Sequence, residues 1–240
     1  MQELKGSFVA LVTPMKSNGE IDFPALKELV EWHIESGTHG LVSVGTTGES
    51  ATLNFNDHVK VLEKTISYIN NKIIAIAGTG ANSTDEAIEL SKAASSIGYE
   101  FALSVTPYYN KPNQLGLEAH YKKIADNSVI KNILYNVPSR TACDLEPETV
   151  NNLIHHENIV GIKEAVDDPK RYKALIKMAK SSSEPFYVLS GDDPTYFEFM
   201  KSGGDGVISV AANVIPTQVA KIAIGCLNGN FENAKEINQR

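Results

Sequence analysis

The chain has 240 residues, 42% of them hydrophobic and 8% aromatic, enough apolar material for one sizeable core. It carries 29 acidic and 22 basic side chains, a formal net charge of −7. That balance lacks the basic surplus of a nucleic-acid binder, and any negatively charged substrate needs a local cationic site.

Short apolar runs alternate with longer amphipathic ones from end to end. The first expected strand, Phe8–Val12, is followed by a helix over 23–36, which Asp22 is placed to cap. Next come the strand Gly40–Val44 and a helix over roughly 55–70, then the strand Lys72–Gly78. Ser83 and Glu86 stand at capping-box spacing and open a helix that stops at Gly98. The strand Phe101–Val105 leads to a helix near 114–127, and the strand Asn132–Val137 to one near 147–156. Ile159–Lys163, Phe186–Ser190 and Gly206–Val210 complete the strands, with helices near 169–180, 193–202 and 216–228. Nearly uncharged, β-branched strands of this kind belong to parallel sheets buried on both faces. Eight strands alternating with eight helices predict an α/β protein, a (β/α)8 TIM barrel. An open doubly wound sheet usually has a phosphate-binding glycine loop after its first strand, and here that strand runs into TPMKSNGEID.

The two cysteines, Cys143 and Cys226, are far apart and outside any CxxC pattern, so free thiols in a reducing compartment are expected. MQELKGSFVALVTPM lacks the basic leader and cleavage site of a signal peptide. No run approaches the roughly 18 apolar residues of a membrane span. A cytoplasmic protein with no membrane or nucleic-acid partner is the expectation.

In a barrel of this class the active site lies where the strands end, so polar residues just after each apolar run are the candidates. Lys163 closes NIVGIK. A lysine there is partly withdrawn from water, which disfavours its ammonium form, and a neutral amine can attack a ketone. The plainer alternative is a lysine ion-paired with Glu164. Gly45-Thr46-Thr47-Gly48-Glu49 follows the second strand and can turn amides and hydroxyls towards a carboxylate, or can simply be a turn. It is not a P-loop, because no lysine follows the second glycine. Tyr135 either points into the barrel to move protons or packs in the core. Arg140, in VPSRT, either grips a carboxylate with its planar fork or is solvated. Tyr108 and Tyr109 read as a packing or interface pair. The six histidines are scattered without ligand spacing. Asp192-Asp193 either binds a metal or caps the following helix, and neither a metal nor a cofactor is expected.

Taken in order and spacing, GTTGES, TPYYNKP, YNVPSRT, GIKEA and GVISVAAN resemble the dihydrodipicolinate synthase family, from SFVALVTP to the final INQR. The resemblance implies a lyase that condenses pyruvate with L-aspartate 4-semialdehyde in diaminopimelate and lysine biosynthesis, giving 4-hydroxy-tetrahydrodipicolinate. It assigns Lys163 as the Schiff-base lysine. Tyr135, Thr46 and Tyr109 match a proton-relay triad, with Tyr109 reaching the neighbouring subunit's site. Thr47 would hold the pyruvate carboxylate and Arg140 that of the semialdehyde. Gly191 and Ile208 match positions that line the pyruvate pocket through their backbone. A cleft at a dimer interface binds inhibitory lysine in many relatives, and its positions correspond to Ser50, Ala51, His58, Asn82, Glu86 and Tyr108. Phe55 stands where lysine-sensitive relatives often carry histidine.

The resemblance also implies a homotetramer built from dimers. Family members continue past INQR into a C-terminal helical segment, whereas this sequence ends at Arg240. The expectation is therefore one barrel domain over 1–240, ending within or just after the eighth barrel helix. The catalytic residues would be retained and that segment largely missing, with assembly and stability in question. Two rival readings stand beside this one. A sister aldolase, such as N-acetylneuraminate lyase or a 2-keto-3-deoxy sugar-acid aldolase, would share Lys163 and Tyr135, although GTTGE with Arg140 favours the synthase. A truncated barrel that only binds a small carboxylate is the non-catalytic alternative.

Overall fold

The computed structural model describes Gln2–Gln239. The strands are β1 (Gly6–Ala10), β2 (Gly40–Ser43), β3 (Ile74–Gly78), β4 (Phe101–Val105), β5 (Lys131–Asn136), β6 (Ile159–Glu164), β7 (Tyr187–Ser190) and β8 (Gly206–Ser209). They pair in parallel and in sequence order, and β8 returns to β1 to close a barrel. The helices are α1 (Phe23–Glu35), α2 (Phe55–Ile69), α3 (Thr84–Ser96), α4 (Gln114–Asn127) and α5 (Pro138–Thr141), followed by α6 (Pro147–Leu153), α7 (Pro169–Ser181), α8 (Tyr196–Lys201), α9 (Pro216–Leu227) and α10 (Phe231–Asn238). Every expected strand and helix is present, and the fold is the (β/α)8 barrel.

The alternating pattern of the strands decides what fills the barrel and what faces the helices. Phe8, Val42, Ile76, Phe101, Leu103, Ile133, Leu189 and Ile208 form the interior cluster. Val9, Leu41, Ala77, Ala102, Leu134, Ile162, Val188 and Val207 point the other way, into the layer shared with the helices. Burying one such side chain contributes about 1.5–3 kcal/mol, so two filled layers hold the ring without any covalent brace. Among the described residues both cysteines are free and buried, and no helix is long and apolar enough to cross a membrane.

The differences from expectation lie at element ends. The first strand stops at Ala10 because the Val12 N–H turns to Asn213 Oδ1 at 3.2 Å and leaves the ladder. The one-turn helix α5 and the 3₁₀ turns Ser50–Thr52 and Ala211–Asn213 are too short to show a helical period. α10 lies beyond the break at Asn228-Gly229-Asn230 and was not foreseen. Caps behaved as read: Asp22 accepts from the Ala25 N–H and Ser83 from the Glu86 N–H.

Candidate active site

A β-bulge sets the direction of Lys163. Ile159 pairs with Asn132, but the next pairing is Gly161 with Ile133, so Val160 is an extra residue in β6. Strict alternation from outward-facing Ile159 would send Lys163 outwards as well. With Val160 inserted, Ile162 faces the helices, Lys163 enters the barrel and Glu164 faces out. Gly161 permits the bulge, since a β-carbon there would lie 2.6 Å from the Tyr187 carbonyl oxygen.

Lys163 is only 4% exposed and stands opposite Tyr135 in the ladder, its Nζ 4.1 Å from the centre of the tyrosine ring. Burial drives the lysine down to a pKa of about 7, opposed by Asp193 and assisted by Arg140. Burial also pushes the Tyr135 phenol up to about 12, with Arg140 and a hydrogen-bonding interaction from Thr46 drawing it back. Near neutral pH the site therefore holds a substantial fraction of free amine beside a protonated phenol. Gly191 leaves room for the lysine: a β-carbon there would come within 2.8 Å of Lys163 Cε.

These groups open on a cavity of about 200 Å³ lined by Thr46, Thr47, Tyr135, Arg140, Lys163 and Gly191. That is below the ~300–1,000 Å³ of typical drug-sized pockets and suits a substrate of few heavy atoms. Thr46 and Thr47 are offered by a strained turn. Val44, β-branched and at φ 53°, starts it, and Gly78 accommodates the Val44 carbonyl where a β-carbon would lie 2.2 Å from the oxygen. The Thr13 hydroxyl donates to the Gly48 carbonyl at 2.7 Å and pins the turn to the end of β1.

Ser139, Ala165 and Val210, given no individual role from the sequence, share the cavity wall, as does Asp192, weighed there only as a metal ligand or helix cap. Ile208 is fully buried in the barrel interior and does not line the cavity. Tyr109 is 88% exposed, at φ 72°, and also stays outside it. Of the positions matched to an effector cleft, Ser50, Ala51 and Tyr108 line a second cavity of about 300 Å³, which shares Thr46, Val137 and Arg140 with the first. Asn82 accepts from Asn110 Nδ2 at 3.3 Å, and Glu86 is near enough to help burial raise the Tyr108 phenol. His58 is buried, its Nε2 2.8 Å from the Gly78 carbonyl oxygen.

Two sequence alternatives are settled by geometry. Glu164 is not the partner of Lys163: its carboxylate accepts from Arg171 Nε at 2.7 Å, from Asn136 Nδ2 at 3.1 Å and from the Val166 N–H at 3.0 Å. Asp193 does not cap α8. Its Oδ2 accepts from the Val210 and Ala211 N–H groups, both at 2.9 Å, while Asp192 accepts from the Thr195 hydroxyl.

A barrel whose sixth strand delivers a buried lysine of lowered pKa to a small polar cavity beside a buried tyrosine defines a class, the lysine-dependent lyases of class I aldolase type. The sequence matches the Dihydrodipicolinate synthetase family over residues 3–240. It is 50% identical over 235 residues to the 4-hydroxy-tetrahydrodipicolinate synthase of Pseudoalteromonas atlantica, covering 98% of this chain and 79% of that one. The fold superimposes with a TM-score of 0.96, at 48% identity, on the dihydrodipicolinate synthase of Acinetobacter baumannii complexed with pyruvate, covering 99% of this chain and 80% of that one. The lysine-bound enzyme of Cyanidioschyzon merolae gives a TM-score of 0.91 at 35% identity, over 98% of this chain and 79% of that one. The chain belongs to the dihydrodipicolinate synthetase family.

Proposed function

We propose that the chain condenses pyruvate with L-aspartate 4-semialdehyde through a Schiff base on Lys163, giving 4-hydroxy-tetrahydrodipicolinate. The observation that carries this is the buried lysine with its pKa brought to about 7, held over the Tyr135 ring at the mouth of the barrel. The Lys163 amine attacks the ketone carbon of pyruvate and water leaves, forming an iminium. That electron sink lets a methyl proton depart to give an enamine, which attacks the aldehyde carbon while the new alkoxide takes a proton. The acceptor's own amine then adds to the iminium carbon and expels Lys163, closing the ring.

Each step moves a proton. Tyr135, too weak an acid to ionise near neutral pH, is suited to donate and recover one, with Thr46 bridging to it and Tyr109 of a neighbouring subunit completing the relay. Thr47 holds the pyruvate carboxylate, and Gly191 shapes the space around it. Arg140, on the cavity wall, takes the acceptor's carboxylate through its bidentate fork. The exposure of Tyr109 supports a homo-oligomer in which it is buried, and we place the enzyme in the cytoplasm. Comparing acceptors tests the substrate assignment. With pyruvate present, turnover of the semialdehyde well above that of polyhydroxylated aldehydes is expected, and the reverse order would reject it.

Lysine is proposed as an effector at the cleft of Ser50, Ala51, His58, Asn82, Glu86 and Tyr108, with Glu86 pairing its α-ammonium. Support comes from the second cavity beside Arg140 and from the lysine-bound relative. Initial rates should fall as lysine is titrated, and a flat response to millimolar concentration would reject the effector.

A further inference from the structure

Arg140 sits on a single helical turn, Pro138–Thr141, which has too few residues to hold itself in shape. Its C-cap, Ala142, adopts φ 53°, a left-handed conformation unfavourable for a residue with a β-carbon. The geometry of this arm must therefore be imposed from outside. The strap that follows, 142–145, is tied at every residue, beginning with the Ala142 N–H, which donates to the Pro138 carbonyl at 2.9 Å. Thr141 Oγ1 donates to the Cys143 carbonyl at 2.9 Å, and the Leu145 N–H donates to Asn136 Oδ1 at 2.9 Å. Gln114 of α4 donates to the Asp144 carbonyl at 2.7 Å.

The most connected group on the strap belongs to another element. Arg171, in the first turn of α7, donates through Nη1 to Asp144 Oδ2 at 3.0 Å and through Nη2 to the Leu145 carbonyl. Its Nε donates to Glu164 on β6, the residue after Lys163. One rigid guanidinium thus bridges the strand that carries the nucleophile and the strap that continues from the turn bearing Arg140. Arg171 itself does not border the cavity. A lysine cannot reproduce this, because an ammonium has no planar fork to span three acceptors in fixed directions.

We infer that Arg171 is a positioning residue for the acceptor end of the site, clamping the 142–145 strap to β6 and so fixing where Arg140 presents its guanidinium. This rests on the reading of Arg140 as the group that binds the acceptor's carboxylate. A merely structural ion pair would lower stability and affect both substrates alike, whereas the clamp predicts a split between them.

The experiment is steady-state kinetics of Arg171→Lys and Asp144→Ala, together with borohydride trapping of pyruvate on each. Asp144→Ala removes the charged one of the clamp's two strap acceptors, leaving the Leu145 carbonyl and the Glu164–Arg171 pair, so it serves if Arg171→Lys folds poorly. Losing charge-assisted hydrogen bonds to the strap should raise the KM for the semialdehyde about tenfold or more. The KM for pyruvate should stay within about twofold, and trapping at Lys163 should proceed at the wild-type rate. Equal changes for both substrates, or no change for either, would overturn the inference, as would loss of trapping in a folded variant. Wild-type turnover of the semialdehyde, measured first, tests the proposed function separately.

Discussion

Lys163 and Glu164 are neighbours on one strand, both nearly inaccessible to water, and the fold treats them in opposite ways. Glu164 faces the helices, where Arg171, Asn136 and the Val166 N–H satisfy its carboxylate. Burial still pushes that carboxyl above its ordinary range, and those donors draw it back. Lys163 faces the cavity, pairs with no carboxylate among the described residues, and is brought by burial to a pKa of about 7 against the opposing field of Asp193. A fully paired buried ion is structural, while an unpaired one costs stability and marks chemistry. A single inserted residue, Val160, decides which side chain receives which treatment.

The comparison can be broken most severely by removing the amine. Lys163→Met is expected to lower turnover by ~10³-fold or more, since no other group can form the imine. The same variant should be more stable than the wild type by about 1 kcal/mol or more, because an active-site strain is relieved. The sign follows from linkage. The lysine is protonated more readily unfolded, near its ordinary 10.5, than folded, near 7. The penalty it imposes is therefore full below about pH 7 and fades as the pH rises towards 10.5. Melting curves of both proteins at pH 6.5 and pH 10 would show whether the gap narrows.

On the outward face, Glu164→Ala removes the Nε partner of Arg171, which keeps Asp144 and the Leu145 carbonyl, and should lower stability by about 1–3 kcal/mol in denaturant titration, the usual loss for a buried donor left unsatisfied. Truncation without a stability loss would mean that the network is not what secures this face. Tyr135→Phe keeps the ring beside Lys163 and removes only the hydroxyl, so kcat should fall about 10²–10⁴-fold while the fold is retained. Gly161→Ala puts a β-carbon against the Tyr187 backbone and should cost about 1–3 kcal/mol. If the bulge aims Lys163, the rate of imine formation should fall along with it. The smallest effect is the pH dependence of the wild type: the imine-forming rate should rise through about pH 7 and level off above it. A profile still climbing steeply at pH 9 would place the amine's pKa elsewhere.

Much of this was legible in the sequence. Continuous apolar strands and capped amphipathic helices specify the barrel, because their periods come from burial and local hydrogen bonding. The strand-end rule led to Lys163, Tyr135, Arg140 and the Thr46-Thr47 turn, all of which border one cavity. What stayed hidden depends on non-local geometry. Strand periodicity does not announce the Val160 bulge, so whether Lys163 or Glu164 faces inwards was undecidable from the run NIVGIKEA. Nothing in their spacing reveals that Asn136 and Arg171 each donate to both Glu164 and Asp144. For Asp192-Asp193 the sequence offers a metal site or a cap on the following helix, the local options, whereas Asp193 caps the turn after β8.

The central claim is that the inward-facing member of the pair is the nucleophile. Reduction with borohydride in the presence of pyruvate, followed by intact mass and peptide mapping, tests it most directly. The account predicts one stable pyruvyl-derived adduct per chain, on Lys163. A folded protein that gains no adduct, or gains it on a different lysine, would contradict it.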